Sequence, residues 1–243
     1  MLTVNVASGF GSGGGAGGRA DVGDAPQTEL IWHFRADVGV TDSSGVTAWL
    51  DQVGESVSLT AATTHKPTYN STATVGTLAN AGAIEFDGVA HDLTSGSVTD
   101  ASTPTHVFLV FQMNDWTSGD EVMTIRNSGE SHFQQLGSSP NLKMIGGGTP
   151  GGDTSFATGS WALASILWNG SSSSLARNND SPNAAALGAR SMAAGMTLAA
   201  SGSPGNWAWG DIDVAELLIY SAEQTGAALT SIKSYINDQY GLW

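Results

Sequence analysis

Apolar and polar residues alternate in short segments along most of the chain, a pattern that predicts β-strands. Residues 83–88 read Ala-Ile-Glu-Phe-Asp-Gly, an alternation that stops at an Asp-Gly pair, which is a strong turn signal. Residues 106–113 hold six apolar residues in a run of eight and predict a buried strand. We predict about ten to fourteen strands in all. The other candidates are residues 30–34, 46–50, 121–126, 132–136, 142–145, 161–168, 175–177, 196–199 and 211–220.

One segment, residues 222–240, has the spacing of a helix. Its apolar residues recur every three or four positions and form a single stripe. Ser221 is the predicted N-cap, with Gln224 three places later as in a capping box, and Gly241 stands where a C-terminal cap belongs. The stripe consists of Leu229, Ile232, Tyr235, Ile236 and Tyr240.

These elements predict an all-β fold, a two-sheet antiparallel sandwich with one C-terminal helix. We assign residues 29–243 to one such domain, since sandwiches of this length form single units. Residues 1–28 form a separate N-terminal arm, rich in Gly, Ala and Ser between residues 7 and 23. Such a composition is typical of a flexible segment, or of an arm that becomes ordered against a partner.

Composition and charge exclude several classes of partner. The formal net charge is -14, and the eight basic residues are scattered singly, so we expect no binding to nucleic acid. The chain has no cysteine and therefore no disulfide or thiolate metal site. It lacks both a secretory signal pattern and a run of 18 apolar residues, so we expect neither signal-directed export nor membrane insertion.

Several motifs occur in an order that resembles the concanavalin A-like, laminin G-like domains. A tryptophan strand at residues 30–39 precedes a Trp-x-Asp-x-x-Gly turn at residues 49–54, and Phe-Asp-Gly follows at 86–88. Lys66-Pro-Thr-Tyr69 stands where the family has arginine first, and Val53 replaces a usual serine. The remaining similar segments are residues 161–168, 174–178 and 210–220 with the helix after them. The resemblance covers residues 29–243 and implies a jelly-roll sandwich that tends to bind carbohydrates or cell surfaces.

Residues 211–216, Asp-Ile-Asp-Val-Ala-Glu, are similar to the Glu-x-Asp-x-x-Glu strand of retaining glucanases on this fold. Such enzymes need two carboxyl groups about 5–5.5 Å apart. Asp211 and Asp213 share a face of the strand, but Glu216 points to the other face unless a bulge intervenes. The first position is Asp rather than Glu, and the motif lies on the last strand rather than in mid-chain. We therefore expect no catalytic residues and no enzyme.

Metal and cofactor sites receive little support. The five histidines lie in separate segments without the spacing of zinc ligands. Acidic turns leave calcium binding open, although no Asp-x-Asp-x-Asp loop identifies ligands. We predict no cofactor, with calcium as the one alternative.

Tryptophans in loops are the better functional signal. Trp116, Trp207 and Trp209 lie beside turn residues, where an exposed indole offers a flat apolar face to a sugar ring. We take these three as the candidate carbohydrate-binding residues, with packing under a loop as the alternative. Trp32, Trp49, Trp161 and Trp168 fall in strand patterns and are expected in the core.

A domain suited to exposure, an arm rich in glycine and the lack of an export signal together favour a phage virion surface protein. We predict a tail or head fibre or a capsid decoration protein, with the arm docked to other virion proteins and the sandwich facing outward toward a glycan. Such proteins are often homo-oligomers. The alternatives are an extracellular bacterial carbohydrate-binding module or lectin, and a retaining glycoside hydrolase using Asp211, Asp213 and Glu216.

Overall fold

The computed structural model describes residues 24–54, 57–97, 104–126, 131–146, 149–187, 194–201 and 208–243. Within these ranges the chain forms seventeen strands, one α-helix and a single-turn 3-10 helix at Gly170–Ser172, so the all-β prediction is confirmed. The elements in chain order are β1 (Leu30–Arg35), β2 (Val40–Asp42), β3 (Val46–Leu50), β4 (Ser58–Thr60), β5 (Thr68–Asn70), β6 (Ala83–Asp87), β7 (Leu93–Ser95), β8 (Thr105–Met113), β9 (Glu121–Ile125), β10 (Ser131–Gln135), β11 (Asn141–Gly146), β12 (Thr149–Ser155), β13 (Trp161–Trp168), β14 (Ser174–Arg177), β15 (Asn183–Ala184), β16 (Met196–Leu198), β17 (Asp211–Tyr220) and α1 (Gly226–Tyr240).

The strands form two antiparallel sheets. Sheet A has eight strands in the order β15-β14-β13-β8-β17-β6-β5, with β1 also paired to β17. Strand β17 pairs with β8 on one side and with two strands on the other. On that second side, residues 211–214 pair with β6 and residues 216–220 pair with β1. Sheet B has nine strands in the order β12-β11-β10-β9-β16-β7-β4-β3-β2. The two-sheet sandwich predicted from the sequence is therefore present.

The main core lies between the sheets and is rich in aromatic rings. Phe111 of sheet A meets Phe133 of sheet B edge-on, with ring centroids 5.9 Å apart, and Phe156 contacts both. Trp49 is fully buried, and its indole N–H donates to the Arg35 carbonyl oxygen at 2.9 Å. Trp32 and Trp168 are also buried, which confirms their predicted place in the core; Trp161 is half-buried and packs on the outer side of sheet A instead.

The Trp-x-Asp-x-x-Gly turn is held by one buried carboxylate. Asp51 accepts hydrogen bonds from the backbone N–H groups of His33 at 2.8 Å, Val53 at 3.1 Å and Gly54 at 3.0 Å. A fully buried carboxylate is tolerated only when such donors replace water. The aspartate of this motif therefore shapes the turn and ties it to β1.

Helix α1 packs on the outer face of sheet A, over residues of β8 and β17. The predicted stripe is confirmed, since Ile232, Tyr235, Ile236 and Tyr240 are buried and Leu229 packs beside them. Gly241 adopts the left-handed conformation, with φ 59° and ψ 50°, and its N–H donates to the Asn237 carbonyl, so the predicted C-cap is confirmed.

The predicted start of the helix is wrong. The helix begins at Gly226 after Thr225, rather than at Ala222 after Ser221. The backbone N–H of Gln224 donates instead to the buried His106 ring at 3.1 Å, and the Ser221 N–H donates to the Glu29 carbonyl at 2.9 Å. These tertiary hydrogen bonds hold the segment outside the helix.

Five connections between the sheets meet at one end of the sandwich. They comprise residues 61–67, 88–92, 114–120, 156–160 and 199–210, of which 202–207 lie outside the described residues. We call this end the loop end. Gly210 marks a close approach there, because a Cβ on this residue would lie 2.1 Å from the Glu121 carbonyl oxygen.

The predicted arm, residues 1–28, lies mostly outside the described residues. Its last part packs on the sandwich: Ala25 is buried, and the Pro26 carbonyl accepts a hydrogen bond from the Tyr220 hydroxyl at 3.0 Å.

Candidate functional site

The part of sheet A that helix α1 leaves uncovered carries an open pocket beside the loop end. Its volume is about 370 Å³. Strands β5, β6 and β17 and the first residue after β8 supply its walls. The lining residues are Thr68, Glu85, Phe86, Asp87, His91, Asn114, Asp211 and Asp213. We call it the acidic pocket, since four of the eight residues are Asp or Glu.

The carboxyl groups are brought together by strand register. Asp213 of β17 lies directly opposite Glu85 of β6, and Asp211 lies opposite Asp87. The amide nitrogen of Asn114 donates to Asp211 Oδ1 at 2.9 Å and to Asp213 Oδ1 at 3.0 Å. The amide of Asn70 donates to Glu85 Oε1 at 2.7 Å. Amide donors therefore hold the carboxylates in place against their mutual repulsion.

Two carboxyl groups of this pocket have pKa values shifted in opposite directions. Partial burial, together with the charges of Glu85 and Asp211, raises the pKa of Asp213 to about 6, although the hydrogen bond from Asn114 opposes the rise. Partial burial acts in the same direction on Asp87, but three backbone N–H donors outweigh it and lower the pKa of that carboxyl. Near neutral pH the pocket thus holds carboxylate acceptors and one acid close to its titration point.

Glu216 is the one member of the predicted acid motif that lies outside the pocket. A bulge in the pairing of β17 with β8 falls between Val214 and Glu216, which is the condition under which Glu216 shares the outer face with Asp213. Helix α1 nevertheless covers Glu216, and its side chain is fully buried. The alternative in which Asp211, Asp213 and Glu216 together act on a sugar is therefore wrong, because Glu216 does not reach the pocket.

Glu216 instead anchors the helix. Its Oε1 contacts His33 Nε2 at 2.5 Å and accepts a hydrogen bond from the Tyr235 hydroxyl at 3.0 Å, while Oε2 accepts from the Tyr240 hydroxyl at 2.7 Å. Burial alone would raise the pKa of Glu216, but His33, Tyr240 and the nearby Arg35 lower it, so the carboxylate is charged and satisfied. Glu216 therefore has a structural role under the helix.

The candidate tryptophans that the structure describes have different neighbours. Trp116 and Trp209 both lie at the loop end and both are half-buried, whereas Trp207 lies outside the described residues. Trp116 packs against the core and donates its indole N–H to the Asn141 carbonyl at 3.1 Å. Trp209 meets the His65 ring edge-on, with centroids 5.2 Å apart. Their role as sugar contacts stays a prediction.

Sequence reasoning missed Glu85 and Asn114. Glu85 is the polar position of a strand chosen for its apolar alternation, and Asn114 is one residue past a buried strand. The available signal was the order of strands in the sheet, because only the pairing of β6 and β8 with β17 places these residues beside Asp213.

Two further searches concern metals and membranes. Among the described residues, no group of three or more His, Asp or Glu side chains is placed to hold a metal ion, and calcium binding stays an untested alternative. In the same part of the chain, no helix has the length and apolar character needed to span a membrane.

The sequence matches no protein-family model and no curated protein. Solved structures share the fold. The sialidase of Trypanosoma rangeli in complex with sialic acid has a TM-score of 0.61 at 10% identity, over 88% of this chain and 34% of that one. Domain 4 of AbnA, an extracellular GH43 arabinanase from Geobacillus stearothermophilus, in complex with arabinotriose, has a TM-score of 0.55 at 14% identity, over 88% of this chain and all of that domain. A GH54 α-L-arabinofuranosidase has a TM-score of 0.57 at 11% identity, over 88% of this chain and 60% of that one.

These likenesses correct one prediction and leave others as they stood. The chain spans about a third of the sialidase, and the similarity is one of fold. The prediction that the chain is not an enzyme is wrong, because it took the mismatched acid motif as decisive. A sialidase and an arabinofuranosidase share this fold, so the fold occurs in enzymes. The sandwich is one found in carbohydrate-active proteins, while membership of the concanavalin A-like family stays a prediction.

Proposed function

We propose that this chain is a carbohydrate-binding β-sandwich domain and that the acidic pocket holds an uncharged sugar. The observation that carries the proposal is the convergence of Glu85, Asp211, Asp213 and Asn114 on one open pocket of sheet A. Sugar hydroxyls donate hydrogen bonds, and carboxylates held in place by amides are strong acceptors for them. A concave site with a few convergent polar groups is the usual form of a small-molecule site.

The charge of the pocket favours neutral over acidic sugars. Two like charges 4 Å apart repel by about 4 kcal/mol at an effective dielectric constant of about 20. A sugar carboxylate beside Asp211 and Glu85 would meet this repulsion, and the net charge of -14 adds to it at longer range. The ligand class therefore differs from the sialic acid named with the sialidase.

The AbnA domain supports the proposal, because this chain matches that domain over its full length and the domain was solved with a bound neutral oligosaccharide, arabinotriose. The proposal covers the ligand class only, and the sugar is to be identified by experiment.

The test is calorimetric titration of the full chain with arabinotriose and other neutral oligosaccharides, and with sialyllactose as the acidic comparison. We expect binding of at least one neutral ligand, no binding of sialyllactose, and a loss of about tenfold or more in Asp213→Ala. Asp153→Ala is the matched control, since this carboxylate is exposed on sheet B. Equal affinity for acidic and neutral ligands, or unchanged binding in Asp213→Ala, contradicts the proposal.

A second candidate function is glycoside hydrolysis in the same pocket. Residues directly opposed on one sheet face have Cβ atoms about 4.5–5.5 Å apart, so the carboxyl groups of Asp213 and Glu85 are within reach of the roughly 5–5.5 Å separation that retaining glycosidases use. Asp213, with its pKa raised to about 6, fits a general acid, and Glu85 opposite it fits a nucleophile. Release of 4-nitrophenol from 4-nitrophenyl glycosides, abolished in both Asp213→Asn and Glu85→Gln, would establish this function; absence of turnover across such a panel would dismiss it.

We propose further that the domain is displayed outside the cell, on a phage particle through the arm at residues 1–28 or in a bacterial extracellular protein. Removal of residues 1–23 tests the arm, because it should abolish co-purification with particles and leave sugar binding unchanged. A homo-oligomer is the accompanying proposal, and light scattering of the full chain tests it.

A further inference from the structure

A second, separate crevice runs beside helix α1. Its volume is about 230 Å³, and it lies between the outer side of the helix and the turn that follows β14. The turn is fixed in position, since Asn178 adopts a left-handed conformation and its side-chain oxygen accepts the Leu163 N–H at 2.9 Å. The residues that matter in this crevice are Asn179, Leu229, Lys233, Ser234, Asp238 and Trp243.

Trp243 gives the crevice an exposed aromatic wall. Its exposed fraction is 42%, and it is the one aromatic residue among the large apolar side chains that lie exposed in the described part of the chain. Its backbone is held, because the Trp243 N–H donates to Asn237 Oδ1 at 3.0 Å and the preceding Tyr240 carbonyl accepts from the Thr77 N–H at 2.6 Å. An exposed flat apolar ring on an anchored backbone offers a surface on which a ring-shaped ligand can stack.

The polar groups of the crevice are available for a ligand. Within the described residues, the side chains of Asn179, Ser234 and Asp238 make no hydrogen bond to the protein, so they are free to bind hydroxyl groups. Partial burial lowers the pKa of Lys233, against the effect of the nearby Asp180. Short polar side chains around one indole fit the alternating hydroxyl and C–H faces of a sugar.

The crevice continues into a neighbouring depression. This depression, of about 160 Å³, shares Leu229 and Lys233 with the crevice and reaches Ser174 and Glu223 near the start of the helix. Each volume lies below the roughly 300 Å³ at which pockets begin to accept drug-sized ligands. Each one suits a single ring, and together they suit linked rings.

We propose that this crevice is a second saccharide site, in which Trp243 stacks on one ring of a neutral oligosaccharide that extends along helix α1 toward Glu223. The inference rests on the proposed carbohydrate-binding function and adds to it a second point of attachment beside helix α1, formed by residues that do not line the acidic pocket. Two sites on one domain allow a polysaccharide to be held with greater avidity than either site provides alone.

The test is NMR titration of the full chain with arabinotriose and with cellotriose, observing the indole N–H signals. We expect the Trp243 signal, assigned by its loss in Trp243→Phe, to shift on addition of at least one trisaccharide. Trp243→Ala should weaken binding at this site by about tenfold or more and reduce the stoichiometry from two to one. Trp243→Phe should keep most of the affinity. Leu50→Ala is the matched control, because Leu50 has the same exposed fraction of 42%.

The outcomes separate the two proposals. If Asp213→Ala abolishes binding while Trp243→Ala changes neither affinity nor stoichiometry, the second site is refuted and the acidic pocket stands. If Trp243→Ala removes all binding and Asp213→Ala removes none, the crevice is the only site and the acidic pocket is refuted. If neither trisaccharide shifts the Trp243 signal, the second site is refuted.

Discussion

Replacing Tyr240 by phenylalanine tests whether the buried Glu216 holds helix α1 on the sandwich. The substitution removes one hydroxyl and leaves the ring in place, so Glu216 Oε2 loses the donor that lies 2.7 Å away. Glu216 is fully buried and charged, and a hydrogen bond to a charged group contributes about 1.5–3 kcal/mol. We expect Tyr240→Phe to lower the free energy of unfolding by about 2–3 kcal/mol, which for a chain of this length lowers Tm by roughly 4–12 °C.

Tyr220→Phe is the matched control, because Tyr220 is also buried and its hydroxyl donates to the neutral Pro26 carbonyl. It should cost only about 0.5–1.5 kcal/mol. Urea unfolding followed by tryptophan fluorescence measures both values.

The pH dependence sharpens this test. The pKa of Glu216 is lowered in the folded protein from its ordinary value of 4.5, so its contribution to stability is present above that value and is lost as the pH falls through the folded pKa. The deficit of Tyr240→Phe should therefore be full at about pH 7 and shrink below about pH 4. The deficit of Tyr220→Phe should not change with pH. Equal losses in the two variants, or a Tyr240→Phe deficit that persists in acid, would refute the assignment of Glu216 as a charged anchor.

Three further predictions concern stability. Because the pKa of Asp213 is raised to about 6, the folded protein loses stability as pH rises from about 4 to about 6, so Asp213→Asn should raise Tm at pH 8 and not at pH 4, measured by thermal unfolding. Gly210→Ala should destabilise the protein by more than about 2 kcal/mol in urea unfolding, since the added Cβ meets the Glu121 carbonyl at 2.1 Å; a neutral result would mean that β17 shifts freely. Asp51→Ala removes the acceptor of three backbone N–H groups, of which that of His33 is buried, and should cost about 2 kcal/mol or more in urea unfolding; a loss below about 1 kcal/mol would contradict its role in the turn.

Local pattern was sufficient for much of the fold. Alternation identified strands such as residues 83–87, and the spacing of Ile232, Ile236 and Tyr240 gave the buried face of the helix, because both signals follow from backbone periodicity. The start of the helix was mispredicted because the Gln224 N–H bonds to His106, more than a hundred residues earlier. The residues that neighbour Gln224 in the sequence give no signal of so distant a contact.

The site was less accessible to sequence reasoning. Asp211 and Asp213 were singled out correctly as neighbours on one face, but their partners Glu85 and Asn114 come from strands whose order in the sheet is not written in local pattern. The environment of Glu216 was also beyond local pattern, because both the bulge that turns it to the outer face and the packing of the helix over it depend on tertiary structure.

The bulge on β17 separates two parts of the strand that have different surroundings. Before it, positions 211 and 213 face the open pocket; after it, Glu216, Leu218 and Tyr220 lie under the helix. The pocket residues, to which we assign ligand binding, are thereby separated from the residues that hold the scaffold together, although they are only a few peptide bonds apart. Under the proposed function, substitutions at Asp211 and Asp213 would change ligand preference at little cost to folding.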